Sequence, residues 1–550
     1  MASTAETPLL EEYVIDAVDH GELPVGRSST GRWSAAWFII GVEVAERFAY
    51  YGIASNLISY LTGPLGLSTA VAASNVNAWS GIACLLPVLG AFVADAFLGR
   101  YRTIIIASLV YILVGLFSIS SKFRLCLGFL SICQVIISVV EGLALLTLSA
   151  CLVPISTPSE HIARVVSSSP SSLLNLLFFF SLYLVAIGQS GHKPCVQAFG
   201  ADQFDEKDPK ERLERSSFFN WWYLSMCAGV SLAILVVVYI QEAVSWALGF
   251  GIPCVFMVVS LVLFVLGRRK YRYVRRRQED VTNPFTRIGR ALLAPSACNA
   301  SDVEDATALV RLIPVWLTTL TYAIPYAQYM TFFTKQGVTM ERTIVPGVKI
   351  PPASLQVLMG FLIVICVPIY DRVLVPVSRY ITKDPCGITM LKRIGTGMVL
   401  SSLTMVVAAM VESKRLETAK AYGLIDQPET TVPMSIRWLL PQYLILALAE
   451  VFTIVGMQEF FYSQVPTELR SIGLALYLST LGVGSLLSSL LISVIGLATG
   501  GDGRNSWFNI NLNRAHLDYF YWLLVAISAL GFFTFLIISR SYIYRRVDGV

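Results

Sequence analysis

Three charged residues interrupt a stretch, residues 33–61, that is otherwise long and apolar enough to span a membrane. Glu43, Glu46 and Arg47 stand within five consecutive positions of it. Each such charge costs about 2.5–3.5 kcal/mol at the centre of a bilayer. Because positions i, i+3 and i+4 share one face of a helix, the three side chains point the same way. This pattern predicts a polar cavity in which two carboxylates pair with a guanidinium and exchange protons, as in a transporter.

Two more ionisable residues interrupt apolar runs. Lys193 follows Ser190-Gly191-His192, and Glu450 lies within Leu446–Phe452. A lysine deep in a span usually needs a carboxylate partner, although one near a helix end can instead reach the interface. Glu450 could contact a substrate or serve as a gating ion-pair partner. Both residues are therefore candidates for the wall of a polar pathway.

The composition fits a membrane protein. The chain has 550 residues, of which 55% are hydrophobic and only 14% charged, against about 25% charged in soluble domains. The ten cysteines include no CxxC pair and predict buried free thiols. Four scattered histidines predict no metal site, and no phosphate loop, HExxH or nucleophile elbow suggests an enzyme.

Apolar segments of spanning length fall into two sets of six, and a span needs about 17–25 apolar residues. The predicted helices are 33–61, 74–98, 103–121, 173–195, 217–240 and 246–267, then 308–335, 354–378, 389–411, 436–462, 471–498 and 518–540. Two such sets resemble the major facilitator superfamily, in which two six-helix bundles surround a midplane site. We therefore predict an all-α integral membrane protein with twelve spans.

A basic run separates the two predicted bundles. Seven of the ten residues in 268–277 are Lys or Arg, which predicts a cytoplasmic anchor rather than nucleic-acid binding, and cytoplasmic termini. The predicted divisions are an acidic tail 1–32, a bundle 33–267, a basic linker 268–307, a bundle 308–541 and a tail 542–550.

One segment does not fit twelve spans. Residues 103–154 are almost continuously apolar, which at 1.5 Å per residue would make a helix of about 75 Å. An extra span would reverse the topology that follows it. We expect a partial or re-entrant hairpin, or a displaced amphipathic piece lying at the interface. Relative to the family pattern described next, about 28 residues near 114–141 are additional, which predicts a retained intron or an alternative gene model.

Several motifs together resemble those of proton-coupled oligopeptide transporters, specifically the plant nitrate transporter 1/peptide transporter family. They are Glu43–Gly52 (EVAERFAYYG), Gly90–Tyr101 (GAFVADAFLGRY), Phe199–Asp205 (FGADQFD), Phe218–Tyr223 (FFNWWY) and Glu459–Tyr462 (EFFY). The resemblance covers about residues 30–545 and implies a secondary transporter that uses protons and no cofactor.

The resemblance also implies roles for individual residues. Glu43, Glu46 and Arg47 would couple protons, and protonation would release Arg47 for an anionic substrate group. The implied substrate contacts are Arg47, Lys193, Glu450, Tyr50, Tyr51, Tyr326 and Gln328. Asp95 and Arg100 would latch helix ends, and Thr103 resembles a kinase-accessible switch.

The substrate stays open at this stage. Where a nitrate transporter of the family has a histidine that can become cationic, this chain has Tyr326, which stays neutral near pH 7. Nitrate is the leading expectation, di- or tripeptides or other charged plant metabolites or hormones follow, and a membrane sensor with little flux is an alternative of another class. The expected partners are a small anionic or zwitterionic substrate, the bilayer and a kinase. The sequence leaves open the plasma or vacuolar membrane.

Overall fold

The computed structural model describes most of the chain outside its termini and a few internal segments. The described residues are 13–94, 98–116, 170–205, 208–274, 290, 291, 293, 299–345, 348–369, 373, 374, 376, 377, 380, 388–465, 470–499, 506–542 and 544. Within these ranges, eight helices are long and apolar enough to cross a membrane. Of the segment 114–141, which did not fit twelve spans, the described residues include 114–116, and the rest lies outside them.

The chain divides into two compact units, one comprising Met1–Ile53 with Leu86–Glu279 and the other Ala54–Leu85 with Asp280–Val550. The boundaries expected from the sequence, 33–267 and 308–541, stay a prediction. Helices in chain order up to the basic run are α1 (Arg32–Ala54), α2 (Leu57–Thr62), α3 (Thr69–Val93), α4 (Arg100–Leu116), α5 (Pro170–Ala201), α6 (Pro209–Leu232), α7 (Val238–Ala243) and α8 (Trp246–Leu266). A π-helical turn, Ala233–Val237, joins α6 to α7.

The remaining helices belong to the second unit. They are α9 (Ala300–Tyr326), α10 (Phe332–Val338), α11 (Val357–Ile369), α12 (Met390–Ala421), α13 (Leu440–Ser463), α14 (Arg470–Ala498) and α15 (Leu517–Ser541). Short 3₁₀ turns, Ala327–Tyr329, Pro352–Gln356 and Ile436–Leu439, precede α10, α11 and α13.

Two spans that the sequence presents as single helices are broken. The first ends as α1 at Ala54 and resumes as α2 at Leu57. A break leaves backbone groups that need partners, and the Gln241 amide donates to the Gly52 carbonyl at 2.7 Å. The predicted helix 308–335 likewise divides into α9 and α10, where Pro325 can donate no backbone hydrogen bond.

Within the described ranges, three small sheets accompany the helices. Their strands are β1 (Tyr13–Val18), β2 (Pro24–Gly26), β3 (Tyr273–Val274), β4 (Met340–Glu341), β5 (Thr343–Val345), β6 (Val348–Lys349) and β7 (Val432–Ser435). In the first unit β1 pairs antiparallel with both β2 and β3. The segment that precedes α1 is therefore attached to the segment that follows α8.

A buried ion pair lies next to β3, in the sheet formed by β1, β2 and β3. Arg272 donates to Glu211 at 2.6 Å, and both side chains are almost fully buried. The Gln203 side chain accepts from the Arg272 amide at 2.8 Å, which fixes the same segment to the end of α5. Gly31 has φ of +73°, and a Cβ there would lie 2.2 Å from Arg272 Nε. Only glycine fits both conditions.

We expect Arg272→Met to destabilise the first unit by about 3–5 kcal/mol, because it leaves the Glu211 carboxylate buried without its counter-ion. Thermal unfolding of the detergent-purified chain measures the change. Arg32→Met is the matched control: Arg32 pairs with Glu214 at a more exposed position, so its loss should cost about 0–1 kcal/mol. Equal destabilisation by the two substitutions would contradict this account of the Arg272–Glu211 pair.

Candidate functional site

The three charged residues of α1 form one buried cluster. Arg47 Nε donates to Glu43 Oε1 at 2.6 Å and lies 3.3 Å from Glu46 Oε2. Glu43 and Glu46 are at most 1% exposed and Arg47 is 7% exposed. The sequence prediction that these side chains share one face is consistent with this geometry. We call Glu43, Glu46 and Arg47 the α1 charge cluster.

The α1 charge cluster has one more acid than base. With both carboxylates ionised, its net charge is negative, and binding of one proton neutralises it. Proton exchange at this cluster stays a prediction.

Two tyrosines follow the cluster on α1. The rings of Tyr50 and Tyr51 meet edge to face with centroids 5.3 Å apart. Tyr50 is buried, whereas Tyr51 is partly exposed. Of the two, Tyr51 is the better placed to meet a dissolved substrate, because part of its surface remains open.

Lys193 lies on α5, next to a buried histidine. His192 is fully buried and shares a 2.9 Å hydrogen bond with the Ser108 hydroxyl on α4. Lys193 itself is partly exposed. Among the described residues, no carboxylate lies within 4.0 Å of its ammonium group. The carboxylate partner expected for this lysine is therefore not found among the described residues, and its contact with substrate stays a prediction.

The second unit holds a tyrosine–glutamate pair. The Tyr326 hydroxyl, at the end of α9, donates to Glu450 Oε1 on α13 at 3.2 Å. The Tyr326 ring packs against Tyr322 and Tyr329 with centroids 5.9 and 5.1 Å away. Both members of the pair are partly exposed. The structure thus brings together two sequence-predicted substrate contacts from different helices.

Gln328 has a different environment from Tyr326. Its side chain is fully buried. The amide donates to the Ile324 carbonyl at 2.7 Å and to the Ser488 hydroxyl at 2.8 Å. Asn77 on α3 donates to the same hydroxyl at 3.0 Å. These bonds assign Gln328 a structural role in this conformation, and its predicted contact with substrate stays a prediction.

The Asn77–Ser488 bond belongs to a longer seam between α3 and α14. One turn away, the Ser74 hydroxyl lies 2.8 Å from the hydroxyls of both Ser489 and Ser493. At Gly81 a Cβ would lie 2.7 Å from the Gly482 carbonyl oxygen. Small residues let the helices approach closely, as is common in membranes. We call these contacts the α3–α14 seam.

The remaining sequence-predicted residues lie around α4. Arg100 donates to Asp202 at 2.6 Å, so it does tie a helix end, whereas Asp95 lies outside the described residues. Thr103 is buried and its hydroxyl donates to the Gly99 carbonyl at 3.0 Å. Access of a kinase to Thr103 would require this helix end to open, and phosphorylation stays a prediction.

Sequence reasoning missed a second buried charge cluster. Arg415 and Glu412 on α12 are fully buried and pair at 2.6 Å. Gln336 donates to Glu412 at 2.8 Å, and Arg415 donates to Asn513 at 2.8 Å. The signal was available, since the two charges stand three residues apart on one helix face. In the described part of the chain no group of acidic, histidine or cysteine side chains could hold a metal.

Comparison with known proteins gives consistent matches. The sequence profile described as "PTR2: POT family" matches residues 129–294 and 285–508. The chain is 69% identical to Protein NRT1/PTR FAMILY 5.13 of Arabidopsis thaliana. The alignment has 596 positions, gaps included, and covers 100% of both chains. An auto-inhibited POT family peptide transporter shares the fold with a TM-score of 0.71 and 20% identity, over 94% of this chain and 98% of that one.

A further solved structure carries a bound ligand. It is a POT family transporter in complex with 5-aminolevulinic acid, with a TM-score of 0.62 and 14% identity over 92% of this chain and 95% of that one.

We expect Ser488→Ala to lower the free energy of unfolding by about 1–3 kcal/mol, since the buried Asn77 amide loses its acceptor. Thermal unfolding in detergent measures it. Thr534→Ala serves as control, because the exposed Thr534 hydroxyl bonds only within its own helix, to Leu530, at 2.9 Å. An unchanged melting temperature for Ser488→Ala would refute the seam's contribution to stability.

Proposed function

The chain belongs to the NRT1/PTR branch of the POT family of membrane transporters, and on that premise we propose that it carries nitrate together with protons by alternating access. The resemblance inferred from the motifs is confirmed by the family match and by the 69% identity over the whole chain. The all-α membrane fold is confirmed by the solved transporters. The protein is a proton-coupled transporter and not an enzyme, and it works with protons rather than a bound cofactor.

The α1 charge cluster is the proposed site of proton coupling, and it is the observation that carries the proposal. Two buried carboxylates share Arg47 at 2.6 and 3.3 Å. When one carboxylate takes up a proton, the guanidinium loses part of its electrostatic hold. Arg47 can then bind an anionic group of the substrate. Coupling follows because substrate binding and protonation stabilise the same state.

Two cationic side chains of the first unit, Lys193 and Arg47, favour an anionic substrate. Lys193 has no acidic partner within 4.0 Å among the described residues. Arg47 becomes available on protonation of the cluster. With the cluster protonated to zero net charge, Lys193 supplies the one positive charge that a monovalent anion such as nitrate neutralises, and Arg47 can donate hydrogen bonds to the nitrate oxygens.

Localisation is part of the proposal. We propose that both termini face the cytoplasm, because the basic run 268–277 and the tail near Arg545 favour that side. The plasma membrane and the vacuolar membrane are equally compatible with this orientation.

The test of coupling is nitrate-evoked current in oocytes at external pH of about 5.5 and about 7.5. We expect an inward current that is larger in acid, and its loss in Glu46→Gln, which can no longer exchange a proton. Glu417→Gln, at an exposed position on α12, is the control and should retain the current. Surface expression of each variant is measured in parallel. Acid-stimulated current that survives in Glu46→Gln would place proton coupling elsewhere.

A second candidate substrate is a small zwitterion such as a dipeptide. The specific observation in its favour is the Tyr326–Glu450 pair, since the described residues place no cation within 4.0 Å of this carboxylate. Glu450 could therefore receive the amine of a substrate that carries both an amine and a carboxylate. A transporter of the same fold binds 5-aminolevulinic acid, which has both groups.

Glu450→Gln separates the two substrates. We expect it to abolish uptake of a labelled dipeptide, because the amide cannot neutralise the substrate amine, and to leave nitrate current within about twofold of wild type. Uptake and current are measured in the same oocytes. Equal loss of both activities would indicate that Glu450 acts in the transport cycle rather than in substrate choice.

A further inference from the structure

The second unit contains a partly buried lysine that the proposed mechanism does not use. Lys335 lies on α10 within the apolar span Ala306–Val338. Its ammonium group donates to the Thr62 hydroxyl, at the end of α2, at 2.9 Å. In the described part of the chain no carboxylate lies within 4.0 Å of it. The exposed Glu429 acts on it only from a greater distance.

This state contrasts with that of the buried arginines among the described residues. Arg47, Arg272 and Arg415 each contact a carboxylate at 2.6 Å, and Arg393 lies 3.4 Å from Glu459. Buried charges are normally paired, because removing an unpaired charge from water is costly. A lysine held in a span with only a hydroxyl partner is therefore set to receive an anion.

The position of Lys335 is fixed by its neighbours on α10. Phe332 stacks on Phe508 with ring centroids 5.1 Å apart, and Phe333 packs against Tyr443. Gln336 is fully buried and hydrogen-bonded to Glu412. These contacts occupy the other sides of the helix, so Lys335 is directed towards α2.

Lys335 stands nine residues after Tyr326 in the same interrupted span, which corresponds to roughly 13–15 Å along the helix axis. In the orientation proposed above, it lies towards the non-cytoplasmic end. We propose that Lys335 and Thr62 form a docking site for a small monovalent anion, where the substrate binds before it moves further into the span. The identity of the substrate rests on the proposed function, whereas the anion site itself does not.

The transport test uses the full-length chain in proteoliposomes, with nitrate uptake measured at ionic strengths of about 20 mM and about 0.5 M. We expect Lys335→Met to raise KM about fivefold at low ionic strength with kcat unchanged, because capture is weakened but the cycle is intact. Lys335→Arg should restore the wild-type KM. At high ionic strength the difference should disappear.

Lys414→Met is the matched control, since Lys414 is an exposed lysine of the same unit that lies over the Trp438 ring at 3.9 Å. It should leave KM unchanged. An unaltered KM in Lys335→Met, a fall in kcat alone, or the same KM rise in Lys414→Met would overturn the proposal. If Lys335→Met does not fold, Lys335→Gln gives the same comparison.

A binding test keeps the site separate from the transport hypothesis. If the wild-type chain moves no nitrate, the proposed substrate fails, and thermal unfolding of the purified chain then tests Lys335 with sodium nitrate, chloride and acetate. We expect saturable stabilisation by nitrate that Lys335→Met loses. Equal stabilisation of both proteins by nitrate would overturn the site. Chloride acting as well as nitrate would overturn its role in substrate docking.

Discussion

The cost of removing charge from water decides where this chain can place its ionisable residues. Arg47 is buried on α1 because two carboxylates, at 2.6 and 3.3 Å, compensate its charge. The second unit repeats the solution with Arg415 and Glu412, which are fully buried and fixed by Gln336 and Asn513. The Arg415–Glu412 pair has matched charges, whereas the α1 charge cluster has one carboxylate in excess.

Two lysines meet the same constraint by staying partly exposed instead of pairing with a carboxylate. Neither Lys193 nor Lys335 has a carboxylate within 4.0 Å among the described residues, and both remain partly exposed. Such positions keep a cation available to ligands at moderate desolvation cost. The buried arginines Arg47, Arg272 and Arg415 are held by carboxylates, whereas these two lysines have no such partner among the described residues.

Packing between α3 and α14 uses small and polar residues. The α3–α14 seam combines the close approach at Gly81 and Gly482 with hydroxyl and amide contacts from Ser74 and Asn77. In a bilayer, apolar side chains gain little by leaving lipid, so close backbone approach and hydrogen bonds supply the association energy.

The sequence by itself determined the family, the membrane setting and the α1 charge cluster, because charges at helical spacing inside an apolar run have few stable arrangements. It also pointed to Tyr326 and Glu450, which the fold brings to 3.2 Å. Only the tertiary structure decided that Gln328 is bonded within the seam, that Arg272 pairs with Glu211, and that Lys335 lacks an acidic partner. Those outcomes depend on contacts between residues far apart in the chain, and no local periodicity encodes which distant hydroxyl or carboxylate will be within hydrogen-bond reach.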